Sequence, residues 1–199
     1  MAEMMKFDEQ KKLDSVNGAL ALRPQIEEIV DGICNAGYKN VCWMGIGGTW
    51  ASAMQATVHM KENSAIEVWA ENAAEYLTTG NKRLGEGTVV VTSSVTGSTV
   101  EVVNAIKKAQ EAGAKVIGFI DVPTTELAKM VDFEIAYSEN EQLKFFMVAD
   151  RFMKNAGEFD GYDAQYAEFD AHLAEALVNV EKTADEFAAA FAKKHCDDP

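Results

Sequence analysis

Residues 88–99 read Thr-Val-Val-Val-Thr-Ser-Ser-Val-Thr-Gly-Ser-Thr. The first five, Thr88–Thr92, form an unbroken run of β-branched residues, which is typical of a strand buried on both faces of a parallel sheet. Good helix formers follow from Ser98 to Ala112, and Gly113 stands where a helix commonly ends. A buried strand followed by a loop and a helix predicts an α/β fold.

The same alternation extends to both sides of this stretch. Short apolar runs predict five strands, at Val41–Met44, Ile66–Trp69, Thr88–Thr92, Val116–Phe119 and Phe133–Ala136. Helices are predicted at Thr49–Glu62, Ser98–Ala112, Thr125–Val131 and Glu141–Asn155. We therefore expect a three-layer, doubly wound, five-stranded parallel sheet of order 2-1-3-4-5, as in flavodoxin-like folds.

The segments outside this alternation are helical in pattern. Before residue 37, apolar spacing predicts two helices or one helix kinked at Pro24. From Gln165 onward, apolar residues recur at helical spacing over about thirty residues, which predicts one long amphipathic helix. The expected organisation is N-terminal helices over 1–36, a ligand-binding domain over 37–156 and an acidic C-terminal helix over 157–199.

Charge and cysteine content exclude several classes of function. The 32 acidic and 18 basic residues give a net charge of −14, which opposes binding to nucleic acid or to an anionic membrane surface. The three cysteines, Cys34, Cys42 and Cys196, show neither a disulfide framework nor zinc-ligand spacing. The sequence also lacks an apolar run long enough for a signal peptide or a membrane span. We expect a cytoplasmic protein without a bound metal.

The predicted strand order places the ligand site between the first and third strands, where chain winding reverses. The loops there are Gly45-Ile46-Gly47-Gly48-Thr49-Trp50 and residues 93–99, of which five carry hydroxyl groups. Each loop leads into a helix, so free backbone amides and the positive helix end favour a phosphate. The candidate binding residues are Gly47, Gly48, Thr49, Ser52, Ser93, Ser94, Val95, Thr96, Gly97 and Thr99.

Two other interpretations of these loops stay open. The glycines of the first loop could simply form a tight turn, and Ser98 could cap the following helix, although a cap needs one hydroxyl and not five. The first loop also begins like the dinucleotide motif G-x-G-x-x-G, with Glu71 after the second strand as a ribose-binding acid. Trp50 at the sixth position is too large for that motif.

Taken together, these motifs resemble the SIS (sugar isomerase) domain of phosphosugar isomerases and phosphosugar-sensing regulators. Ser94-Val95-Thr96-Gly97-Ser98-Thr99 is similar to the family's S-x-S-G-x-T phosphate loop, with Thr96 in place of the second serine. Gly47-Gly48-Thr49 resembles the family's G-[TS]-S loop. The segment from Gly113 to Phe119, followed by Thr125-Glu126-Leu127-Ala128, resembles its later strand and S-x-L-A segment.

The closer resemblance is to family members with two SIS domains in one chain. These are the fructoselysine- or glucoselysine-6-phosphate deglycases and the isomerase half of glutamine–fructose-6-phosphate transaminase. The resemblance implies the N-terminal SIS domain of such an enzyme, with residues 157–199 leading toward a second domain. The implied ligand is a phosphorylated sugar or fructosamine 6-phosphate, and the implied chemistry needs no cofactor.

The resemblance also implies catalytic residues. The family places a Glu after a Lys at the end of the first helix, then a second Glu and a His about sixteen residues later, which implicates Glu62 and Glu75. Thr78 and Thr79 occupy the place of the His, so this chain alone is expected to be inactive. His59 is expected to be a packed side chain.

Two non-enzymatic alternatives remain. The domain could be a non-catalytic module that senses a phosphosugar. It could also be an interaction unit, because Leu173, Leu177, Val180, Phe187 and Phe191 form an apolar stripe on the terminal helix. That stripe predicts a homodimer or a larger homo-oligomer.

Overall fold

A computed structural model describes residues 7–137 and 139–195 of the chain. It contains one sheet of five parallel strands in the order β2-β1-β3-β4-β5. The strands are β1 Asn40–Gly45, β2 Val68–Asn72, β3 Thr88–Ser94, β4 Lys115–Ile120 and β5 Phe133–Ile135. The predicted fold class and strand order are confirmed.

Nine α-helices lie within the described residues. They are α1 Glu9–Leu20, α2 Arg23–Ala36, α3 Gly48–Asn63, α4 Ala73–Thr79, α5 Val100–Glu111, α6 Glu126–Met130, α7 Glu141–Asn155, α8 Tyr162–Glu168 and α9 Ala174–His195. The N-terminal segment is two helices and not one kinked helix, with Pro24 in the first turn of α2, where its missing N–H costs no hydrogen bond.

Alternation along the central strands divides the core into two halves. Val41 and Trp43 of β1 face a layer that includes α1, α2, α3, α7 and α8, whereas Cys42 and Met44 face α4, α5 and α6. All four side chains are fully buried. The three layers follow from this pattern, because a strand that is apolar on both faces needs helices on both sides.

The second strand differs from its prediction. The apolar run predicted a strand at Ile66–Trp69, but β2 spans Val68–Asn72 and ends in two polar residues. The physical reason is that β2 is an edge strand that pairs only with β1, so its last residues, Glu71 and Asn72, keep partial access to water. Helix α4 follows directly, capped by the Asn72 side chain, and was not predicted.

The terminal helix is continuous from Tyr162 to His195 and includes one π-helical turn at Phe169–Leu173. Tyr162 and Tyr166 are fully buried in the core shared with α7, whereas the helix is mostly exposed from Val180 onward. The predicted long helix therefore has a packed first half and an exposed second half. Cys196 lies outside the described residues.

Two further observations concern the described residues alone. The thiols of Cys34 and Cys42 are free. Among these residues, none of the helices combines the length and the apolar character that crossing a membrane requires.

Candidate functional site

The loops after β1 and β3 meet around a cavity of about 170 Å³ at the carboxyl edge of the sheet, here called the site cavity. Its lining comprises Ile46, Thr49, Ser93, Ser94, Val95, Thr96, Thr99 and Val102. Six of these were candidate binding residues. The structure thus places the two loops side by side, as the strand order requires.

Within the second loop, hydroxyl groups hold the backbone in shape. The amide of Gly97 donates to Ser94 Oγ at 3.1 Å, and the amide of Ser98 donates to Thr96 Oγ1 at 3.4 Å. A hydroxyl has two acceptor positions and one donor. The side chains of Ser94 and Thr96 can therefore fix the loop and still donate a hydrogen bond to a ligand.

The start of α5 contributes backbone donors to the same place. Thr99, and not Ser98, occupies the N-cap position, and its side chain makes no capping hydrogen bond. The Thr99 carbonyl accepts from the amide of Val103 at 2.9 Å, which leaves the first three amides of the helix without an intrahelical acceptor. The predicted capping role of Ser98 is wrong, and these amides are suited to an anion.

Gly97 shapes the loop from its far side. It adopts a φ of +59°, and a Cβ atom there would lie 2.8 Å from Thr125 Cβ. Gly97 does not line the site cavity but a neighbouring cavity of about 300 Å³ that it shares with Thr125. Its role is therefore to let the chain turn beneath Ser94 and Thr96.

Replacing Gly97 with Ala is expected to destabilise the protein by about 1–3 kcal/mol, because the side chain forces a left-handed residue against Thr125. Thermal unfolding followed by circular dichroism measures this loss. Gly32→Ala is the matched control, since a Cβ atom at Gly32 meets nothing within 4 Å. Equal melting temperatures for the Gly97 variant and the wild type would contradict the expected strain.

Three other candidate residues lie outside the lining of the site cavity. Gly47, Gly48 and Ser52 stand at the start of α3 but are not among the residues that face the cavity. Gly47 has φ +59° and ψ −125°, a conformation that only glycine adopts readily. Its described role is to make the turn into α3, which matches the tight-turn interpretation of this loop.

Thr49 has a partner that sequence reasoning missed. Its hydroxyl donates to Glu141 Oε2 at 2.8 Å, so the first turn of α7 closes one side of the site cavity. One turn further along α7, Lys144 is fully buried, and its ammonium donates to the Tyr137 carbonyl. Burial lowers the pKa of Lys144 to about 8, against the opposing effect of Glu141 and Asp121. The sequence predicted α7 but carried no signal that its first turn faces the β1 loop.

The two candidate catalytic carboxylates lie apart. Glu75 is in the first turn of α4, close to the carboxyl edge of β2, and is exposed. Glu62 is at the last turn of α3, thirteen residues from Thr49, which corresponds to about 20 Å along the helix. Neither lines the site cavity.

The acids and hydroxyls near α4 are engaged locally. Glu71 Oε2 accepts from Trp69 Nε1 at 3.1 Å and from Asn81 Nδ2 at 2.7 Å, so the residue proposed for ribose binding already has partners. The hydroxyls of Thr78 and Thr79 donate to the Glu75 carbonyl at 2.8 and 2.9 Å. These contacts weaken the dinucleotide interpretation.

His59 is not simply packed, as the sequence had suggested. Its Nε2 lies 2.6 Å from Asp150 Oδ1, and its side chain keeps 30% of its surface exposed. The hydrogen bond to Asp150 raises the pKa of His59, opposed by burial and assisted by the charges of Asp150 and Glu62. His172 and His195 are exposed, as expected.

A family model described as the SIS domain matches residues 36–156. No curated protein matches the chain. Among solved structures, the chain is similar to a Salmonella typhimurium LT2 protein provisionally described as a phosphosugar isomerase, with 20% identity and a TM-score of 0.77. It is also similar to the C-terminal domain of glucosamine-fructose-6-phosphate aminotransferase from Francisella tularensis, with 12% identity and a TM-score of 0.73.

These alignments differ in how much of each protein they cover. They span 88% and 93% of this chain but only 56% of the Salmonella and Francisella chains, so this chain spans a little over half the length of those relatives. An Escherichia coli CFT073 protein, solved in complex with a phosphosugar, aligns over 87% of this chain and 86% of its own, with 15% identity and a TM-score of 0.55. At these identities, the structural similarities establish the fold alone.

Proposed function

Because the chain belongs to the SIS domain family, we propose that it binds a phosphorylated sugar with the phosphate in the site cavity. The observation that carries this proposal is the convergence of the hydroxyls of Ser93, Ser94, Thr96 and Thr99 with the unpaired first amides of α5. Hydroxyls and helix amides bind an anion without a lysine or an arginine.

The size of the site cavity supports binding of one end of the ligand. Its volume of about 170 Å³ is smaller than the roughly 300–1,000 Å³ typical of sites that enclose a drug-sized ligand. A phosphate would fit against Ser94 and Thr99, and the sugar would extend out of the cavity along the carboxyl edge of the sheet. The exposed side chains of Val95 and Thr96 border that exit.

Calorimetry with fructose 6-phosphate tests this function, with fructose and inorganic phosphate as comparison ligands. We expect the sugar phosphate to bind and unphosphorylated fructose not to bind, because the charged hydrogen bonds go to the phosphate. Equal or absent binding of fructose and fructose 6-phosphate would remove the phosphosugar assignment.

We further propose that the chain takes part in an aldose–ketose isomerase or fructosamine 6-phosphate deglycase reaction only together with a second SIS domain. Glu62 lies about 20 Å from the site cavity of its own chain, so it can act only on a sugar held elsewhere. The partial coverage of the Salmonella and Francisella structures is consistent with this arrangement. A non-catalytic sensing module is the alternative, and the engaged hydroxyls of Thr78 and Thr79 favour it.

A homodimer or larger assembly is part of the proposal. The side chains of Val180, Phe187 and Phe191 are 63%, 71% and 53% exposed, and together they form the exposed apolar face of α9. The Phe187 and Phe191 rings lie 6.2 Å apart on one side of the helix. Burying such a face favours association. The free thiols of Cys34 and Cys42 fit a reducing, cytoplasmic setting.

Light scattering should therefore give a mass of at least twice the 21.7 kDa of one chain. Replacing Phe187 and Phe191 together with Glu should yield single chains, because two charges cannot be buried at the contact. Ala189→Glu, on the opposite side of α9, is the matched control and should leave the assembly intact. A wild-type mass of one chain at every concentration would contradict the prediction.

A further inference from the structure

A buried carboxylate connects three helices beneath the surface of α3. Asp150 of α7 is 2% exposed, and both of its oxygens are engaged. Oδ1 lies 2.6 Å from His59 Nε2, and Oδ2 accepts the hydroxyl of Tyr166 at 2.7 Å. Because Tyr166 is itself fully buried, the carboxylate is fixed from two sides.

The histidine of this group is held on one side and open on the other. The Phe146 ring packs against the His59 ring with centroids 4.8 Å apart, which fixes the plane of the imidazole. Within the described part of the chain, the second ring nitrogen, Nδ1, makes no hydrogen bond, and the side chain is 30% exposed. A buried carboxylate on one nitrogen sets the tautomer and orientation of an imidazole that exchanges protons through the other.

The position of His59 places it beside Glu62. The two residues are three apart on α3, so their Cβ atoms are neighbours on the helix surface at about 5–6 Å. Met54 and Val58, which are 39% and 53% exposed, lie on the same helix. An acid–base pair beside exposed apolar side chains is suited to face a bound partner and not open water.

We propose that His59 is a catalytic acid–base residue that acts with Glu62 on a sugar phosphate held in the site cavity of a second copy of this chain. This inference rests on the proposed function. Asp150 and Tyr166 serve as positioning residues, because they touch the imidazole or its carboxylate and not the sugar.

The chemistry balances without a cofactor. For fructose 6-phosphate, the Glu62 carboxylate removes a proton from C1, the C1–H electron pair forms the C1–C2 double bond, and the C2 carbonyl oxygen takes a proton from the His59 imidazolium. His59 then removes a hydroxyl proton as Glu62 returns a proton to carbon. In D2O, return to fructose 6-phosphate leaves deuterium at C1.

The charged and titratable groups around His59 give the pH dependence its sign. They are Asp150 on α7, Glu62 on α3 and the Tyr166 hydroxyl that holds Asp150. The hydrogen bond to Asp150 raises the pKa of His59, so the imidazolium persists to higher pH than in an ordinary histidine. The rate should therefore fall on the basic side as pH rises through this raised pKa.

The test is deuterium incorporation at C1 of fructose 6-phosphate, followed by proton NMR with the full chain at concentrations where light scattering shows association. His59→Gln and Glu62→Gln should each slow incorporation by about 10²-fold or more, with the affinity for fructose 6-phosphate unchanged. His172→Gln, at an exposed histidine, is the matched control and should keep the wild-type rate. Asp150→Asn should move the basic limb of the pH profile to lower pH.

The remaining outcomes separate this inference from the proposed function. If calorimetry detects no binding of fructose 6-phosphate, the proposed function fails and the inference fails with it. If the wild type binds the sugar but incorporates no deuterium, or if His59→Gln keeps the wild-type rate, only the role of His59 is overturned. Should His59→Gln misfold, Tyr166→Phe keeps the imidazole in place, and an unshifted pH profile in both Tyr166→Phe and Asp150→Asn would identify the group as a structural clamp.

Discussion

Replacing Ser94 or Thr99 with Ala is expected to weaken fructose 6-phosphate binding by about 1.5–3 kcal/mol for each residue, or roughly 10- to 150-fold, as is typical of a hydrogen bond to a charged group. Ser94 is 7% exposed at the end of β3, and Thr99 caps α5 without using its hydroxyl for the helix. Both side chains line the site cavity. Removing either leaves a phosphate oxygen without a donor in a place that water enters poorly.

Calorimetry on the two single variants and the double variant measures this loss. Ser98→Ala is the matched control, because Ser98 belongs to the same loop but lines the neighbouring cavity. Its affinity should stay at the wild-type value. An unchanged affinity in the double variant, with a folded protein, would remove the phosphate from this loop.

A sample diluted until light scattering shows single chains is expected to have negligible isomerase or deglycase activity, even though it binds the sugar phosphate. The base in question, Glu62, lies about 20 Å from the site cavity of the same chain. Losing one proton-transfer group typically lowers a rate by 10²- to 10⁴-fold. Activity per chain should therefore rise with protein concentration as copies associate.

Amine release from a 6-phosphorylated fructosamine, measured over a dilution series, checks this expectation. Glu62→Gln should abolish whatever activity the concentrated protein has, and Glu186→Gln, at an exposed site on α9, should not. Single chains that turn over at an ordinary enzyme rate, in a manner that depends on Glu62, would show that one copy is catalytically complete.

The parts of the fold that the sequence predicted best are those decided by burial on both faces. The β-branched run at Thr88–Thr92 is a central strand, and its neighbours on either side are equally apolar, so strand order and layers followed. The edge strand was misplaced because Glu71 and Asn72 interrupt the apolar run, and only tertiary position shows that an edge tolerates them. Local pattern alone does not report which strands lie at an edge.

The site was predictable where chemistry is local to one loop. The hydroxyls of residues 93–99 predicted an anion site, and the structure gathers most of them around one cavity. The contacts of Thr49 with Glu141 and of His59 with Asp150 each join residues about ninety positions apart, so spacing could not reveal them. Distances along α3 likewise became meaningful only once its ends were placed at opposite edges of the sheet.

The division of the terminal helix has a consequence for how such a domain could be recombined in evolution. Because Tyr162 and Tyr166 complete the core and hold Asp150, the inheritable folding unit extends through the first half of that helix and does not stop at residue 156. The exposed half beyond Val180 is free of this obligation. A gene fusion joined within that second half would leave the fold intact, whereas one joined at the turn before α8 would remove part of the core and one support of His59.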